Sequence, residues 1–459
     1  MPDLAKRQGP KYLAIADAIA DAISQGMLPD GAKLPPQRNL AYDLGVTLGT
    51  VTRAYAEARR RGLVGGEVGR GTFVQGLDAT PPDGFIALPQ ESDGEINFAH
   101  ATALTAQPGR QLSETLKEVA GLPEIQQLVG YQFDTGLPHH REAGAHWLRR
   151  AGLGATPENI AITNGAQHGI LVALMALAQP GDTVLAEALS YPGFIQVAQQ
   201  LGLKLEPVEM DAEGIIPEAL IEAQHRTSAR LLYCMPTIHN PTAAMMSPTR
   251  MAALAEATRA LDLTILEDDV WSGHIEDQAP PLSTLIPERA YYITSLSKTM
   301  AGGLRVGYVM APNNHIERIR SMVRLSGWLT APLMAEIASR WINDGTGEAL
   351  ARWQTEAMAT RFAIANEFLA DLKPKHHPAG HYVWLDLPEP WRASDFKAEA
   401  ESRGVMLLTG ESFAVGRAPA PHAVRLGISK PDTDEQVRRG LEILADILRA
   451  GPGGALQAI

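Results

Sequence analysis

Apolar residues recur every three or four positions in the first part of the chain, which is the spacing of amphipathic helices. Residues 11–26 form one such segment, residues 35–44 form a second that opens at a Pro-Pro pair, and Thr47 is the expected N-cap of a third. The segment LVGGEVGRGTFV then gives two short β-like runs around a glycine-rich turn. Helix, helix, turn, helix and hairpin together predict a winged helix-turn-helix over residues 1–76.

The pattern changes across residues 77–95, a stretch rich in Pro, Gly and acidic residues that predicts a linker. From about residue 159, β-like runs such as NIAIT, TVLAE, RLLYCMP, LTILEDD and AYYITS alternate with helical segments. This alternation is typical of an α/β domain with a mainly parallel sheet. Further on, helices are followed by mixed strands and helices. We therefore predict a large α/β domain over residues 96–327 and a smaller α+β domain over residues 328–459.

Charge separates the two ends of the chain. The net charge of the 459 residues is −12, but residues 1–76 carry ten Lys and Arg against seven Asp and Glu, a net +3, and the remainder carries −15. A basic end on an acidic body indicates two domains with different partners. One cysteine, Cys234, excludes an intrachain disulfide and fits a reducing compartment. With no secretory or membrane-spanning segment in the sequence, we expect a cytoplasmic protein.

Polar side chains follow several of the predicted strands. In open α/β sheets, ligands bind beyond the carboxyl ends of the strands. Those ends carry a glycine turn that opens a helix (164–167), the carboxylate of Asp268, the amine of Lys298 and, before the next strand, Arg305. A helix-opening turn suits phosphate, a carboxylate keeps a ring nitrogen protonated, and a desolvated lysine forms a Schiff base. The set therefore suits a phosphorylated aromatic aldehyde. The histidines show no metal-ligand spacing, so no metal is expected.

Residues 96–450 resemble the fold-type I pyridoxal-phosphate enzymes of the aspartate aminotransferase group, through TNGAQHG, HNPT, EDD and SLSKTMAGGLRVGYV. Residues 11–76 resemble the GntR-type winged helix-turn-helix, through LPPQRNLAYDLGVTLGTVTRAYAEARRRGLV and GRGTFV. Joined in this order, the two parts resemble the MocR class of bacterial transcription regulators. The resemblance implies an N-terminal DNA-binding domain and an aminotransferase-like body that binds pyridoxal 5'-phosphate.

Site roles follow from the resemblance, residue by residue. Lys298 would carry the cofactor, Asp268 would pair with its ring nitrogen, Asn240 would donate to its ring hydroxyl, and Tyr191 would stack on the ring. Arg425 would bind the α-carboxylate of an amino acid. Tyr131 would reach the site of a neighbouring subunit, which implies a homodimer. The remaining cofactor contacts, which would hold the phosphate, are Gly165, Ala166, Gln167, Ser295 and Arg305.

Three positions depart from the family pattern, and five are expected to contact DNA. Ala243 follows HNPT, where the family usually has glycine. Trp271 stands where many relatives carry a tyrosine that bonds the ring oxygen, and Leu48 stands where an arginine is common in the recognition helix. The expected contacts to the phosphates and base edges of an operator are Arg38, Thr47, Thr50, Arg53 and Arg70.

Three functional hypotheses remain open from the sequence. The first is a transcription regulator that senses an amine, expected to be an amino acid, by exchanging the Schiff base of Lys298, so that the dimer geometry shifts. The second is a working aminotransferase with a DNA-binding appendage, because Lys298, Asp268 and Arg425 suffice for transamination. The third is a binding module without its cofactor, which the intact Lys298 set disfavours.

Overall fold

A computed structural model describes residues 10–24, 27–60, 63–67, 71–74, 94–132, 136–271, 275, 279–416 and 420–452. These residues form two compact units, the first within residues 10–74 and the second within residues 94–452. The linker predicted over residues 77–95 lies almost wholly outside the described residues. Among the helices that are described, none combines the length and apolar character needed to cross a membrane.

The first unit is a three-helix winged fold. Its elements are α1 (Lys11–Ser24), α2 (Gln37–Asp43), α3 (Leu48–Arg60), β1 (Val64–Glu67) and β2 (Gly71–Val74). The two strands pair antiparallel, with Val64 opposite Val74. The apolar faces of α1 and α3 meet in a core that includes Ile15, Val51 and Ala54. The Oγ1 atom of Thr47 accepts from the amide of Thr50 at 3.2 Å, which confirms the predicted cap of the third helix.

The second unit contains the remaining elements. Its strands are β3 (Ile96–Asn97), β4 (Ile160–Thr163), β5 (Thr183–Glu187), β6 (Lys204–Val208), β7 (Met210–Asp211), β8 (Gly214–Ile215), β9 (Leu231–Cys234), β10 (Thr264–Asp268), β11 (Ala290–Ser295), β12 (Gly307–Met310), β13 (Val383–Asp386), β14 (Val405–Met406), β15 (Leu408–Thr409) and β16 (Ala423–Leu426). Its helices are α4 (Ala106–Ala120), α5 (Ile125–Val129), α6 (Pro138–Arg149), α7 (Ala166–Leu177), α8 (Pro192–Gln200), α9 (Pro217–Thr227), α10 (Pro248–Ala260), α11 (Ile316–Gly327), α12 (Pro332–Asn343), α13 (Thr346–Leu369), α14 (Ala393–Ser402) and α15 (Asp434–Ala450).

Seven strands make the central sheet, in the order β4-β12-β11-β10-β9-β5-β6. Six of them run parallel, and β12 runs antiparallel to both of its neighbours. Strands β4, β9, β11 and β12 are buried along their whole length, because apolar side chains cover both faces. The mainly parallel sheet predicted from the alternation is confirmed, and the carboxyl ends of β5, β9, β10 and β11 meet at one edge.

A second, smaller sheet has the order β13-β16-β15, and helices α13 and α15 pack beside it around a separate core. The sequence pattern predicts one strand over VMLLTG, but the structure divides it at Leu407. The division arises because β14 pairs in parallel with β3, whereas β15 pairs with β16. Strand β3 was not predicted, since two residues are too few to show a period.

Candidate cofactor and ligand site

Asp268 ends strand β10 at a largely buried position. Its side chain is 7% exposed, and the hydroxyl of Tyr233 on the adjacent strand β9 donates to Oδ2 at 2.6 Å. The other oxygen, Oδ1, is buried and has no hydrogen-bond partner among the described residues. Burial raises the pKa of this carboxyl to about 7, the Tyr233 hydrogen bond lowers it, and the charge of Asp269 raises it. Oδ1 is therefore an acceptor held ready for a donor from a ligand.

Lys298 lies in the turn that follows strand β11, whose register places Ile293 beside Asp268. Its Nζ donates to the carbonyl oxygen of Ala101. Burial and the charges of Arg425 and Arg305 together lower the pKa of the amine to about 8, although the charge of Asp268 opposes them. A considerable fraction of this amine is consequently neutral near neutral pH and can act as a nucleophile.

A glycine turn and an arginine together form an anion cradle at the start of α7. Gly165 has a φ of +79°, and a Cβ placed on it would lie 2.7 Å from Nη2 of Arg305. The same Nη2 donates to the carbonyl oxygen of Asn164 at 3.1 Å. Ala166 is the first residue of this twelve-residue helix, so the backbone N–H groups of the first turn point outward beside the guanidinium. Only glycine allows the close approach of backbone and cation at this point.

Two serine hydroxyls extend the cradle. Ser295 ends strand β11, and its Oγ donates to Oγ of Ser297 at 2.8 Å. Ser297 in turn accepts from Nη1 of Arg305 at 3.4 Å. The sequence pattern assigns no role to Ser297. Its position between Ser295 and Lys298 in the same turn is the feature that could have indicated its place in the site. These hydroxyls and the guanidinium form a chain of donors suited to a phosphate.

Tyr191 and Gln167 lie at the starts of α8 and α7, respectively. Gln167 donates through Nε2 to the carbonyl oxygen of Gly193 at 3.0 Å, and its Oε1 is buried without a partner among the described residues. A Cβ on Gly193 would lie 2.2 Å from that Oε1 and 2.5 Å from the Tyr191 ring. Burial and the charge of Asp268 raise the pKa of the Tyr191 hydroxyl. The ring therefore stays neutral, as a stacking surface requires.

Arg425, on strand β16, contributes a buried guanidinium. Its Nη1 donates to Oδ1 of Asn240 at 3.0 Å and its Nη2 to the carbonyl oxygen of Ala99 at 2.6 Å. The guanidinium lies 5.1 Å from the ring centroid of Phe413 and 5.5 Å from that of Tyr382. The Nε atom of Arg425 has no hydrogen-bond partner among the described residues. Burial lowers the pKa of the guanidinium to about 10. A carboxylate would relieve this buried positive charge.

Trp271 belongs to an apolar cluster beside this site. It is 3% exposed, and its indole meets His381 edge to face with 5.0 Å between the ring centroids. Tyr382 lies in the same cluster and donates its hydroxyl to the carbonyl oxygens of Ile238 and His239 at 2.9 and 3.1 Å. The indole therefore occupies a packing position.

The structure leaves Tyr131 on the surface. Its side chain is 90% exposed, and its ring meets Trp328 edge to face with 6.2 Å between the ring centroids. Trp328 is itself 55% exposed. Within one chain, Tyr131 is therefore separate from the buried cluster around Lys298.

The DNA-contact residues predicted in the first unit are exposed or half-buried wherever the structure describes them. Arg38, Thr47 and Arg53 are exposed and Thr50 is half-buried, whereas the opposite face of α3 is buried in the core. Leu48 is 43% exposed. Arg70 lies outside the described residues. The described positions give the N-terminal half of α3 polar side chains and one cation, Arg53, and α2 adds the exposed cation Arg38, as a DNA-binding helix pair requires.

The fold and site together define an aminotransferase-like α/β architecture preceded in the chain by a winged helix-turn-helix. Residues 96–444 match the family "Aminotransferase class I and II", and residues 11–74 match "Bacterial regulatory proteins, gntR family". The chain belongs to the aminotransferase class I and II family and carries a GntR-type domain at its N-terminal end. Both parts of the predicted fusion are thereby confirmed.

Relatives share the same combination of domains or the larger fold. The chain is 29% identical to the uncharacterized HTH-type transcriptional regulator YdeF of Bacillus subtilis (97% of this chain, 96% of the relative). It is 25% identical to MocR of Rhizobium meliloti (73% of this chain, 72% of the relative). Among solved structures, an archaeal alanine:glyoxylate aminotransferase is 26% identical, with a TM-score of 0.69 over 77% of this chain and 91% of that protein. These likenesses confirm the resemblance to MocR-type regulators.

The lowered pKa of Lys298 predicts unusual pH dependence for its reactivity. In dialysed protein, acylation of Lys298 should be half-maximal near pH 8, because only the neutral amine reacts and its pKa is about 8, against an ordinary value of about 10.4. Asp268→Asn removes a charge that raises this pKa, so the midpoint should move to lower pH. Peptide mass spectrometry after brief acetic anhydride treatment measures the rate, with exposed lysines as internal references. A midpoint near pH 10 in the unsubstituted protein would contradict the geometry.

Proposed function

We propose that this protein is a DNA-binding transcription regulator that holds pyridoxal 5'-phosphate at Lys298 and responds to an amino acid bound at Arg425. The observation that carries the proposal is the joint occurrence, in one chain, of a winged helix-turn-helix and a buried Lys298–Asp268–Arg425 cluster. YdeF, which is aligned with 97% of this chain and therefore with both parts, carries the name of an HTH-type transcriptional regulator, which supports the same assignment.

The residues present fit pyridoxal phosphate. The unpartnered Oδ1 of Asp268 would accept from the ring nitrogen, and the cradle of Gly165, Ala166, Ser295 and Arg305 would hold the phosphate. When bound, this cofactor supplies an aldehyde that condenses with amines and a ring that withdraws electrons. A neutral ligand atom facing Asp268 Oδ1 would leave a buried carboxylate uncompensated, so a protonated ring nitrogen is the matching group.

Three side chains of this protein would act on the bound amino acid or hold the cofactor beside it. The guanidinium of Arg425 would bind the α-carboxylate, since it is buried and retains an unpartnered Nε. Nζ of Lys298, whose pKa is near 8, would supply or take up a proton close to neutral pH. Asn240 accepts from Arg425 through Oδ1, so its amide nitrogen remains to donate toward the cofactor hydroxyl.

A homodimer is the second element of the proposal. Four large apolar side chains lie exposed near one another in sequence or by contact: Val129 at 84%, Tyr131 at 90%, Leu325 at 70% and Trp328 at 55%. Side chains of this kind and exposure mark protein interfaces. We assign them to contact with a second copy of the chain, which also places Tyr131 where it could approach the partner's site.

Amine binding would act on DNA through this dimer. A ligand shifts an equilibrium between two dimer arrangements only if it binds one of them more tightly. The Arg425 guanidinium is held by Asn240 and Ala99, which belong to different parts of the second unit. A bound carboxylate would compete for these hydrogen bonds, and this competition would give the two arrangements different affinities for the amino acid.

Aminotransferase turnover is a second candidate function. The specific observation in its favour is that Lys298, Asp268 and Arg425 all remain in place, with a lysine pKa suited to proton transfer. Steady conversion of an amino donor and a keto acid would support this alternative, and its absence alongside amine-dependent DNA binding would support the regulator.

The dimer predicts a defined response to charge on its apolar surface. Leu325→Asp should shift the sedimentation coefficient of the protein toward that of a monomer, because a desolvated carboxylate opposes the interface. Tyr42→Asp, at an 88% exposed position of the first unit, is the control and should leave the mass unchanged. Unsubstituted protein that sediments as a monomer at all concentrations would refute the dimer.

The first unit predicts a salt-dependent loss of DNA binding. Arg53→Ala should weaken retardation of the protein's own upstream DNA, and should reduce the slope of log K against log salt by about 0.9 if Arg53 contacts one phosphate. Arg352→Ala, an exposed arginine on α13 of the second unit, is the matched control. Equal losses of DNA affinity in the two variants would show that Arg53 on α3 does not contact the DNA.

The second unit predicts an amine effect on the same DNA. One amino acid from a screen should change both the visible absorbance and the DNA affinity of the protein supplied with pyridoxal phosphate. Lys298→Ala should lose the absorbance of the lysine-bound cofactor and the amine effect on DNA, while it keeps basal DNA binding, because residue 298 is not in the first unit. A Lys298→Ala protein that retains both amine responses would contradict the proposal.

A further inference from the structure

Two adjacent histidines and a distant glutamate meet at the surface of the second unit. His139 and His140 lie in the first turn of α6, and Glu336 lies on α12. Oε2 of Glu336 is 2.7 Å from Nε2 of His139 and 3.1 Å from Nε2 of His140. The three ligand atoms all lie within 4.8 Å of one another. No role in the proposed cofactor site uses this cluster.

We propose that His139, His140 and Glu336 bind a divalent transition-metal ion of the Zn²⁺ class. Two imidazoles and one carboxylate, with a fourth position left for water, form a ligand set that zinc takes in proteins. Ligand atoms about 2.0–2.1 Å from a tetrahedral ion lie about 3.3 Å apart. The observed separations from Oε2 are a few tenths of an ångström shorter, so small side-chain rotations would accommodate the ion.

The charges of the cluster suit a cation. Glu336 supplies the one carboxylate of the three side chains, and the Nε2 atoms of His139 and His140 both lie against its Oε2. The neutral imidazole is the form of a histidine that binds a metal ion. Without metal, the two Nε2–H groups donate to Oε2. The ion would take the place of these hydrogens, and each ring would carry its proton on Nδ1.

A neighbouring arginine orients the carboxylate without blocking it. Nε of Arg340 donates to Oε1 of Glu336 at 2.8 Å, which leaves Oε2 directed at the two imidazoles. Nη1 of Arg340 also lies 3.6 Å from Oε2 of Glu118, so part of its positive charge is compensated elsewhere. An outer group that fixes a ligating carboxylate in this way is common at metal sites.

The cluster is open to solvent on one side and borders a small cavity on the other. His139 has 57% of its side chain exposed, whereas the side chain of His140 is 2% exposed. The cavity beside His140 is also lined by Thr330, whose Oγ1 is buried without a hydrogen-bond partner among the described residues. An ion could enter past His139, and its bound water would offer Thr330 a partner.

The sequence could not indicate this site. Histidines at adjacent positions do not have the spacing of known metal motifs, and Glu336 lies 196 residues beyond His140. Local spacing in the sequence predicts no metal, because the third ligand, Glu336, reaches the two histidines only in the folded chain. Bound metal would tie the start of α6 to α12.

Metal titration of the full-length protein tests the proposal. After treatment with a chelator and dialysis, Zn²⁺ in isothermal titration calorimetry should bind one ion per chain at the cluster, and Co²⁺ should give visible ligand-field absorption. His139→Ala should weaken the affinity at least about tenfold, since loss of a mere outer-shell partner already costs 10–100-fold. This position is largely exposed, so the variant should fold, which near-ultraviolet circular dichroism checks. Glu336→Gln should also weaken the affinity for Zn²⁺.

The matched control is His146→Ala, because His146 is an exposed histidine on the same helix but outside the cluster. It should bind Zn²⁺ and Co²⁺ like the unsubstituted protein. Equal affinities in the His139→Ala and unsubstituted proteins would assign any bound metal to other groups and overturn the proposal. Failure of the unsubstituted protein to bind either ion would overturn it too, and would leave the cluster as an ion-pair network.

Discussion

The buried carboxylate of Asp268 sets the conditions that the rest of the cofactor site must meet. A charge out of water needs a partner, and Tyr233 satisfies only one of its two oxygens. Burial also lowers the pKa values of Lys298 and Arg425, and the charge of Arg425 adds to the lowering at Lys298. A ligand that brings a protonated ring nitrogen, a phosphate and a carboxylate would compensate each of these groups in turn.

Much of this arrangement follows from the sequence, because each strand end delivers its side chain to one edge of a parallel sheet. Asp268 and Lys298 could be identified from their positions at the ends of β-like runs, and Arg305 from its position before the next such run. Tyr233 could not, since it stands inside the apolar run RLLYCMP, where an aromatic residue normally packs. Its hydroxyl reaches Asp268 only because β9 and β10 are neighbours, and that neighbour relation is a property of the fold. The specific roles of the predicted site residues stay predictions.

Pairings over long sequence distances mark the limit of sequence reasoning elsewhere in the molecule. Strand β3 pairs with β14, more than three hundred residues away, and its two residues carry no periodic signal. Arg425 meets Ala99 and Asn240 across 326 and 185 residues of sequence, respectively. The winged unit, by contrast, is formed by contacts close in sequence, so its elements and the Thr47 cap could be predicted from local patterns alone. Its predicted wing contact, Arg70, lies outside the described residues.

The protonation state of the cofactor's ring nitrogen shows whether the carboxylate of Asp268 is its partner. The protein would be supplied with ¹⁵N-labelled pyridoxal phosphate, and the ¹⁵N chemical shift would be recorded for the unsubstituted protein and for Asp268→Asn. We expect a protonated ring nitrogen in the unsubstituted protein and a neutral one in Asp268→Asn, because the amide cannot supply the negative charge that stabilises the proton. The same shift in both proteins, or a neutral nitrogen in the unsubstituted protein, would contradict this expectation.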